Sequence, residues 1–280
     1  MGELVLTLSC PDRPGIVHAV SGFLAERDCN ILDSQQYGSP RTSTFFMRVH
    51  IDSPVHSDSL REQFGDVAAR FAMSWQLDES DHRPNVVVLV SKEGHCLADL
   101  LYRWRSGYLP AEIVAIASNH LDLEPLTSSY GVPFHYLPVD AATRPAQEAQ
   151  ILDLVTQTGA ELTVLARYMQ ILTADFCAAL PGRIINIHHS FLPSFRGGRP
   201  YEQAYERGVK LIGATAHYVT ADLDEGPIIE QEISRVGHQQ DPASLAATGR
   251  DLECVALARA VRWHLEHRVL LDGTRTVVFS

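Results

Sequence analysis

Val86-Val87-Val88-Leu89-Val90, running through Lys92-Glu93-Gly94-His95-Cys96 into a helical run that ends near Ser106, decides how the larger part of this chain folds. An apolar strand feeding a helix predicts a crossover unit, and the pattern repeats downstream. Glu112 to Ala117, Phe134 to Val139, Leu162 to Ala166 and Ile184 to His188 read as further strands, with helices around 144 to 158 and 173 to 180. That spacing favours parallel crossovers, so the expected class is α/β, with a Rossmann-like doubly wound, mostly parallel sheet. Ala214 to Val219 and Ile228 to Ile233 read as longer strands able to pair antiparallel across a turn at Asp224. Asp241-Pro242 opens a long helix from Ala243 to about Glu266, and Asp272-Gly273 signals a hairpin in the tail. The turn after the first strand lacks GxGxxG spacing, which argues against dinucleotide binding.

Upstream the texture differs. An apolar run over residues 3–10 ends at Pro11-Asp12-Arg13-Pro14-Gly15, after which Ile16, Val17, Val20, Phe23 and Leu24 recur at helical spacing. Two strand-like runs follow, Asn30 to Tyr37 and Thr44 to Ile51, then a helix marked by Leu60, Phe64, Val67, Ala68 and Phe71, then a short strand from Met73 to Leu77. The order βαββαβ predicts a ferredoxin-like sandwich, two helices over one face of an antiparallel sheet. The expected organisation is a small domain over residues 1–80, a polar linker over 81–84 ending at Pro84, and a second domain over 85–280.

A net charge of −11 on 280 residues disfavours a broad nucleic-acid surface, because phosphate binding needs clustered Lys and Arg. No stretch of about eighteen apolar residues spans a membrane. Met1-Gly2-Glu3 and the run after it lack the basic segment and cleavage site of a signal peptide, so the cytoplasm is the expected compartment. Five widely separated cysteines suggest neither a disulfide framework nor a CxxC zinc site.

Chemistry concentrates at Asn186-Ile187-His188-His189-Ser190-Phe191-Leu192-Pro193 and at Asp224 in Asp222-Leu223-Asp224-Glu225-Gly226-Pro227. On a strand, Asn186 and His188 project from one face while Ile185 and Ile187 pack on the other. A lone strand-end histidine is more often a satisfied polar group than a catalyst, but an amide, an imidazole and a carboxylate together can polarise a carbonyl and activate water. A metallohydrolase using His188, His189, His217 and Asp224 is the rival reading. Neighbouring strand residues point to opposite faces, so that reading requires the strand to break, and no metal is expected. Cys96, at a helix start beside His95, is read as packing rather than as a nucleophile. Arg196-Gly197-Gly198-Arg199 is no P-loop and reads either as a turn or as an anion contact.

Asn-x-His followed by Ser-x-Leu-Pro and later Asp-x-Gly-Pro is similar to the pattern of the folate-dependent formyltransferase superfamily. Cys10 to Val17, Gly94 to Leu97, Leu100 to Arg105, Ala166 to Leu172 and Gly213 to Tyr218 extend the likeness nearly end to end. The chain as a whole resembles the formyltetrahydrofolate deformylase family, which joins an ACT domain to a formyltransferase-fold domain. Gly94-His95-Cys96 stands where glycinamide ribonucleotide formyltransferases carry Gly-Ser-Asn to cradle the acceptor's phosphate. Two departures from the deformylase pattern are Cys254, where Arg is usual, and the loop over residues 37–44.

The resemblance implies hydrolysis of 10-formyltetrahydrofolate to formate and tetrahydrofolate, without a cofactor. Asn186 and His188 then stabilise the tetrahedral oxyanion, while Asp224 positions water and pairs with His188. It places the pterin against Met169, Gln170, Ile171, Leu172, Leu223 and Glu225. It also implies an amino-acid effector, glycine or methionine, framed by Asp12, Gly15, Asn30 and Ile31, and a homo-oligomer built through the N-terminal domain. Formyl transfer to an amine, and an amino-acid sensor with a dead catalytic domain, are the alternatives.

Overall fold

The computed structural model describes residues 2–192 and 200–280. The chain divides into two compact units: the residues up to His82 together with Glu266–Ser280, and Arg83–Leu265. The expectation put the C-terminal fifteen residues in the second domain; here they group with the first.

In the first unit β1 (Gly2–Pro11), α1 (Ile16–Ala25), β2 (Asn30–Ser39), β3 (Thr44–Ser53), α2 (Ser57–Phe71) and β4 (Ser74–Glu79) follow the expected βαββαβ order. The sheet runs β2-β3-β1-β4 with every pairing antiparallel. Leu4, Leu6 and Leu8 alternate along β1 and enter one core with Val20, Phe23, Leu60 and Phe64 of the helices. Local signals set the helix ends. Gly15, at φ 98°, supplies the left-handed residue that opens α1, and α2 carries Asp58 in its first turn and Arg70 in its last, matching the helix dipole.

The tail joins this unit through polar contacts that no periodicity reveals. Arg48 on β3 is buried and donates to the Glu266 carbonyl at 3.1 Å and to Asp33 at 3.3 Å. The hairpin β12 (Val269–Asp272) and β13 (Arg275–Val278) turns at Asp272-Gly273 as expected. Asp272 accepts from Ser39 at 2.8 Å and Thr42 at 2.7 Å.

The second unit begins with β5 (Asn85–Val90), α3 (His95–Arg105), β6 (Glu112–Ser118), α4 (Glu124–Tyr130) and β7 (Phe134–Tyr136). It continues through α5 (Arg144–Gln157), β8 (Leu162–Leu165), α6 (Ala174–Ala179) and β9 (Ile184–His188). Beyond these lie α7 (Pro200–Glu206), β10 (Leu211–Tyr218), β11 (Ile228–Arg235) and α8 (Pro242–Leu265). The seven-stranded sheet has the order β11-β10-β9-β8-β5-β6-β7. β7, β6, β5, β8 and β9 are parallel; β10 and β11 add antiparallel at one end.

After β7 the chain returns to the far side of β5, so the winding reverses between β5 and β8. Crevices form at such switch points, outside the carboxyl ends of the strands. Val87 and Leu89 bury one face of β5 against Ile151, Leu154 and Phe176, while α8 packs on β9, β10, β11 and α3. The short helix α4 was not foreseen: seven residues with Pro125 in the first turn carry too little apolar periodicity to stand out.

Candidate active site

Beside that reversal, over the ends of β8 and β9, lies a cavity of about 270 Å³, walled by Arg167 to Leu172 after β8, by Asn186 to His189 at the end of β9, by His217 on β10, and by Val219 to Asp224. The strands place these groups by register. Asn186 on β9 sits opposite His217 on β10, and His188 opposite Thr215. Cross-strand partners project to the same side, so one face of the β9–β10 pair carries the amide and a second imidazole together.

His217 is buried and both of its nitrogens are engaged. Nδ1 lies 2.8 Å from the Tyr218 carbonyl, and a carbonyl only accepts, so Nδ1 carries the proton. Nε2 is therefore the acceptor, and at 3.2 Å it takes a hydrogen bond from Asn186 Nδ2. Burial lowers the His217 pKa, which keeps the ring neutral and the acceptor open. The consequence falls on Asn186, whose amide is held by one N–H and keeps the other for whatever enters the cavity.

His188 is 6% exposed, with Nδ1 3.3 Å from Asp224 Oδ1. Its Nε2 is buried without a hydrogen-bond partner, a cost of roughly 1–3 kcal/mol unless a ligand supplies one. His189 stacks on the His188 ring at 4.9 Å. The hydrogen bond from His188 lowers the Asp224 pKa against the opposing effect of partial burial, so Asp224 remains a carboxylate. His217 Nε2 lies 3.9 Å from the same carboxylate oxygen. With His188 Nδ1 facing Asp224 and both His217 nitrogens engaged, this set offers a metal few free donors.

The loop that brings Asp224 back depends on Gly226. A Cβ there would lie 1.7 Å from the Tyr218 carbonyl oxygen, while the Tyr218 N–H donates to the Pro227 carbonyl at 2.9 Å. The Asp-x-Gly-Pro pattern is thus a packing requirement: a bare Cα lets the chain cross the end of β10 closely enough to return a carboxylate to β9. Asp224 itself adopts φ 56°.

Of the residues expected to hold a substrate, Met169, Gln170, Ile171, Leu172 and Leu223 line the cavity; Glu225 does not. Met169, Ile171 and Leu223 are 57%, 56% and 58% exposed, an apolar rim without its own cover. The β8 loop is tied down by Met169 N–H donating to Ser91 Oγ at 3.0 Å and Ser91 N–H donating to the Arg167 carbonyl at 3.2 Å. The expectation missed His217 as a partner of Asn186, having weighed it only as a metal ligand. Pro193 and Arg196 to Arg199 lie outside the described residues. In the first unit Asp12 and Gly15 lead into α1, and Asn30 and Ile31 open β2; all four are exposed.

Residues 84–261 match the formyl transferase family model and residues 4–69 the ACT domain model. The formyltetrahydrofolate deformylase of Corynebacterium sp. (strain P-1) is 53% identical over 98% of this chain and 97% of its own. The chain belongs to the formyltetrahydrofolate deformylase family. A crystal structure of a formyltetrahydrofolate deformylase from Burkholderia mallei superposes with a TM-score of 0.96 at 50% identity, covering 100% of both chains. More distantly, a glycinamide ribonucleotide transformylase from Symbiobacterium toebii is 32% identical with a TM-score of 0.66, covering 71% of this chain and 95% of its own. The expected fold class therefore holds: an ACT domain and a formyltransferase-fold domain. Among the described residues no helix is long and apolar enough to cross a membrane.

Replacing Gly226 with Ala should move the Asp224 loop off β10. Chemical denaturation should register a loss of about 1–3 kcal/mol; unchanged stability would mean that the close approach to Tyr218 is not a constraint.

Proposed function

We propose that this chain hydrolyses 10-formyltetrahydrofolate to formate and tetrahydrofolate, with Asn186, His188 and Asp224 as the catalytic residues. The observation that carries the reading is His188, held through Nδ1 by a carboxylate while its buried Nε2 has no partner beside a cavity. The substrate is supported by the relatives' name, formyltetrahydrofolate deformylase.

In this reading the formyl oxygen lies between Asn186 and His188. Water held by Asp224 attacks the formyl carbon and yields a proton to the carboxylate as the carbonyl electrons move onto oxygen. The free Asn186 N–H and the Nε2–H of a protonated His188 donate to that oxygen, and the oxyanion takes over from Asp224 as the counter-charge of the imidazolium. Collapse breaks the carbon–nitrogen bond, and the departing amine takes the proton from Asp224 directly or through water. A planar pterin lies against the apolar rim of Met169, Ile171 and Leu223, the backbone of the β8 loop reading its edge.

Water rather than an amine is favoured as acceptor by the start of α3. In a doubly wound fold the helix N-terminus after a central strand attracts anions. Here it already faces a buried carboxylate: Glu253 Oε2 lies 2.7 Å from Nε2 of His95, the first residue of α3. An anionic acceptor finds the helix start already occupied by the His95 ring and its carboxylate partner. The ACT domain supplies a site for an amino acid, glycine or methionine, near Asp12, Gly15, Asn30 and Ile31, and the homo-oligomer forms through it.

The test is formate release from purified protein and 10-formyltetrahydrofolate with no amine present; strict dependence on an added amine would replace hydrolysis by transfer. Asp224→Asn should lower release by roughly 10²–10⁴-fold, and Asn186→Ala by roughly 10²–10³-fold, with folate binding retained. His217→Phe removes the acceptor that orients Asn186, so kcat should fall about 5–100-fold with little change in KM, while His217→Gln, which keeps an acceptor oxygen, should recover part of it. Equal rates for the two variants would separate His217 from Asn186. Isothermal titration with glycine and with methionine checks the effector: heat from one of them, abolished in Asp12→Ala, is expected, and silence from both would make the domain structural.

A further inference from the structure

Two adjacent pairs of side chains meet where α3 packs on α8: His95 and Cys96 from the first turn of α3, Glu253 and Cys254 from the middle of α8. One imidazole nitrogen, the Cys96 sulfur and one Glu253 oxygen lie within 4.8 Å of one another. Cys254 neighbours Cys96 and brings a second sulfur to the edge of the cluster, outside those three atoms. Cys96 and Glu253 are buried, while His95 and Cys254 are partly exposed and leave a route in.

We propose that His95, Cys96, Glu253 and Cys254 bind one borderline-soft divalent cation of the zinc class, and that the ion clamps α3 to α8. The donor set is one nitrogen, two sulfurs and one oxygen, which suits zinc and its neighbours and not magnesium or calcium. A tetrahedral site with bonds of about 2.0–2.3 Å places its ligand atoms roughly 3.3–3.8 Å apart. The His95, Cys96 and Glu253 atoms, up to 4.8 Å apart, need a contraction of about an ångström, and Cys254, outside that set, must turn toward them, both by side-chain rotation.

The surroundings are arranged for it. Tyr201 donates to Glu253 Oε1 at 2.9 Å and leaves Oε2 as the oxygen facing His95. Tyr201 reaches that oxygen across Gly249, where a Cβ would lie 2.0 Å from the hydroxyl. His95 Nδ1 is 3.7 Å from the Glu93 carboxylate, an ion-pair distance beyond a hydrogen bond. Arg167 Nε lies 3.4 Å from Glu253 Oε2.

Charge closes on these groups. Thiols bind a cation as thiolates, so an ion entering the cluster displaces the protons of Cys96 and Cys254. Binding then follows M²⁺ + 2 RSH → M(SR)₂ + 2 H⁺, with both protons passing to solvent. Two thiolates and Glu253 balance the dication and Arg167, so the buried cluster becomes neutral. The site shares His95 and Glu253 with the helix start discussed above, and its test does not read hydrolysis.

Full-length protein, reduced with a phosphine and stripped by chelator, is titrated with Co²⁺. One equivalent should bring thiolate-to-cobalt charge-transfer absorption in the near ultraviolet and the strong visible bands of a tetrahedral ion, both displaced by Zn²⁺. Cys96→Ser and Cys254→Ser should each weaken binding by roughly 100-fold or more, while Cys177→Ser leaves it unchanged. In the unaltered chain Zn²⁺ should slow maleimide labelling of Cys254, a measurement independent of how the variants fold. Absence of charge-transfer absorption at one equivalent, its survival in both serine variants, or unchanged labelling of Cys254 would overturn the site.

Discussion

The antiparallel pairing of β9 with β10 is the constraint on which the candidate active site depends. Five parallel strands alone would leave β9 an edge, with Asn186 and His188 aimed at a crevice and nothing to orient them. Adding β10 in the opposite sense places His217 across from Asn186, and the same strand ends at Tyr218, whose carbonyl is the surface Gly226 crosses. One strand thus positions the amide and determines where the carboxylate returns. The parallel part of the sheet supplies rigidity, and its antiparallel end supplies the geometry.

Electrostatics then distinguishes two histidines that composition would treat alike. Both are buried and both lie near Asp224, yet His217 gives its proton to a backbone carbonyl and its lone pair to an amide, whereas His188 faces the carboxylate on one side and has no partner on the other. Burial disfavours charge on the first. A neutral acceptor and a ring with one open nitrogen therefore sit within one strand pair, each held by the group at its other nitrogen.

Much of this was legible in the chain because the signals were local. Alternation in Ile184 to His188 placed Asn186 and His188 on one face, and the turn residues Gly226-Pro227 marked the return of Asp224. What escaped depends on pairings between distant segments. His217 is 31 residues from Asn186, and only strand register makes them neighbours. His95 and Glu253 are 158 residues apart, so no short ligand spacing announces their cluster. The tail joined the first unit through Arg48, Ser39 and Thr42, polar contacts that no hydrophobic period encodes.

Backbone strain gives an independent reading of the same region. Six described non-glycine residues have positive φ, and two of them, Arg167 and Asp224, line the cavity. Asp tolerates the left-handed region because its short polar side chain can bond locally; Arg has no such excuse and bears a cost of roughly 1–2 kcal/mol. The structure holds Arg167 there from both sides, by Ser91 N–H on its carbonyl and by Glu253 on its guanidinium. Such strain persists only where neighbours over-determine the conformation. Its effect is to turn the chain sharply after β8, so that Met169 to Leu172 run along the cavity instead of continuing the strand. The α3–α8 cluster and the cavity wall therefore share one residue, and whatever sets the charge around Glu253 also bears on the loop against which the pterin is proposed to lie.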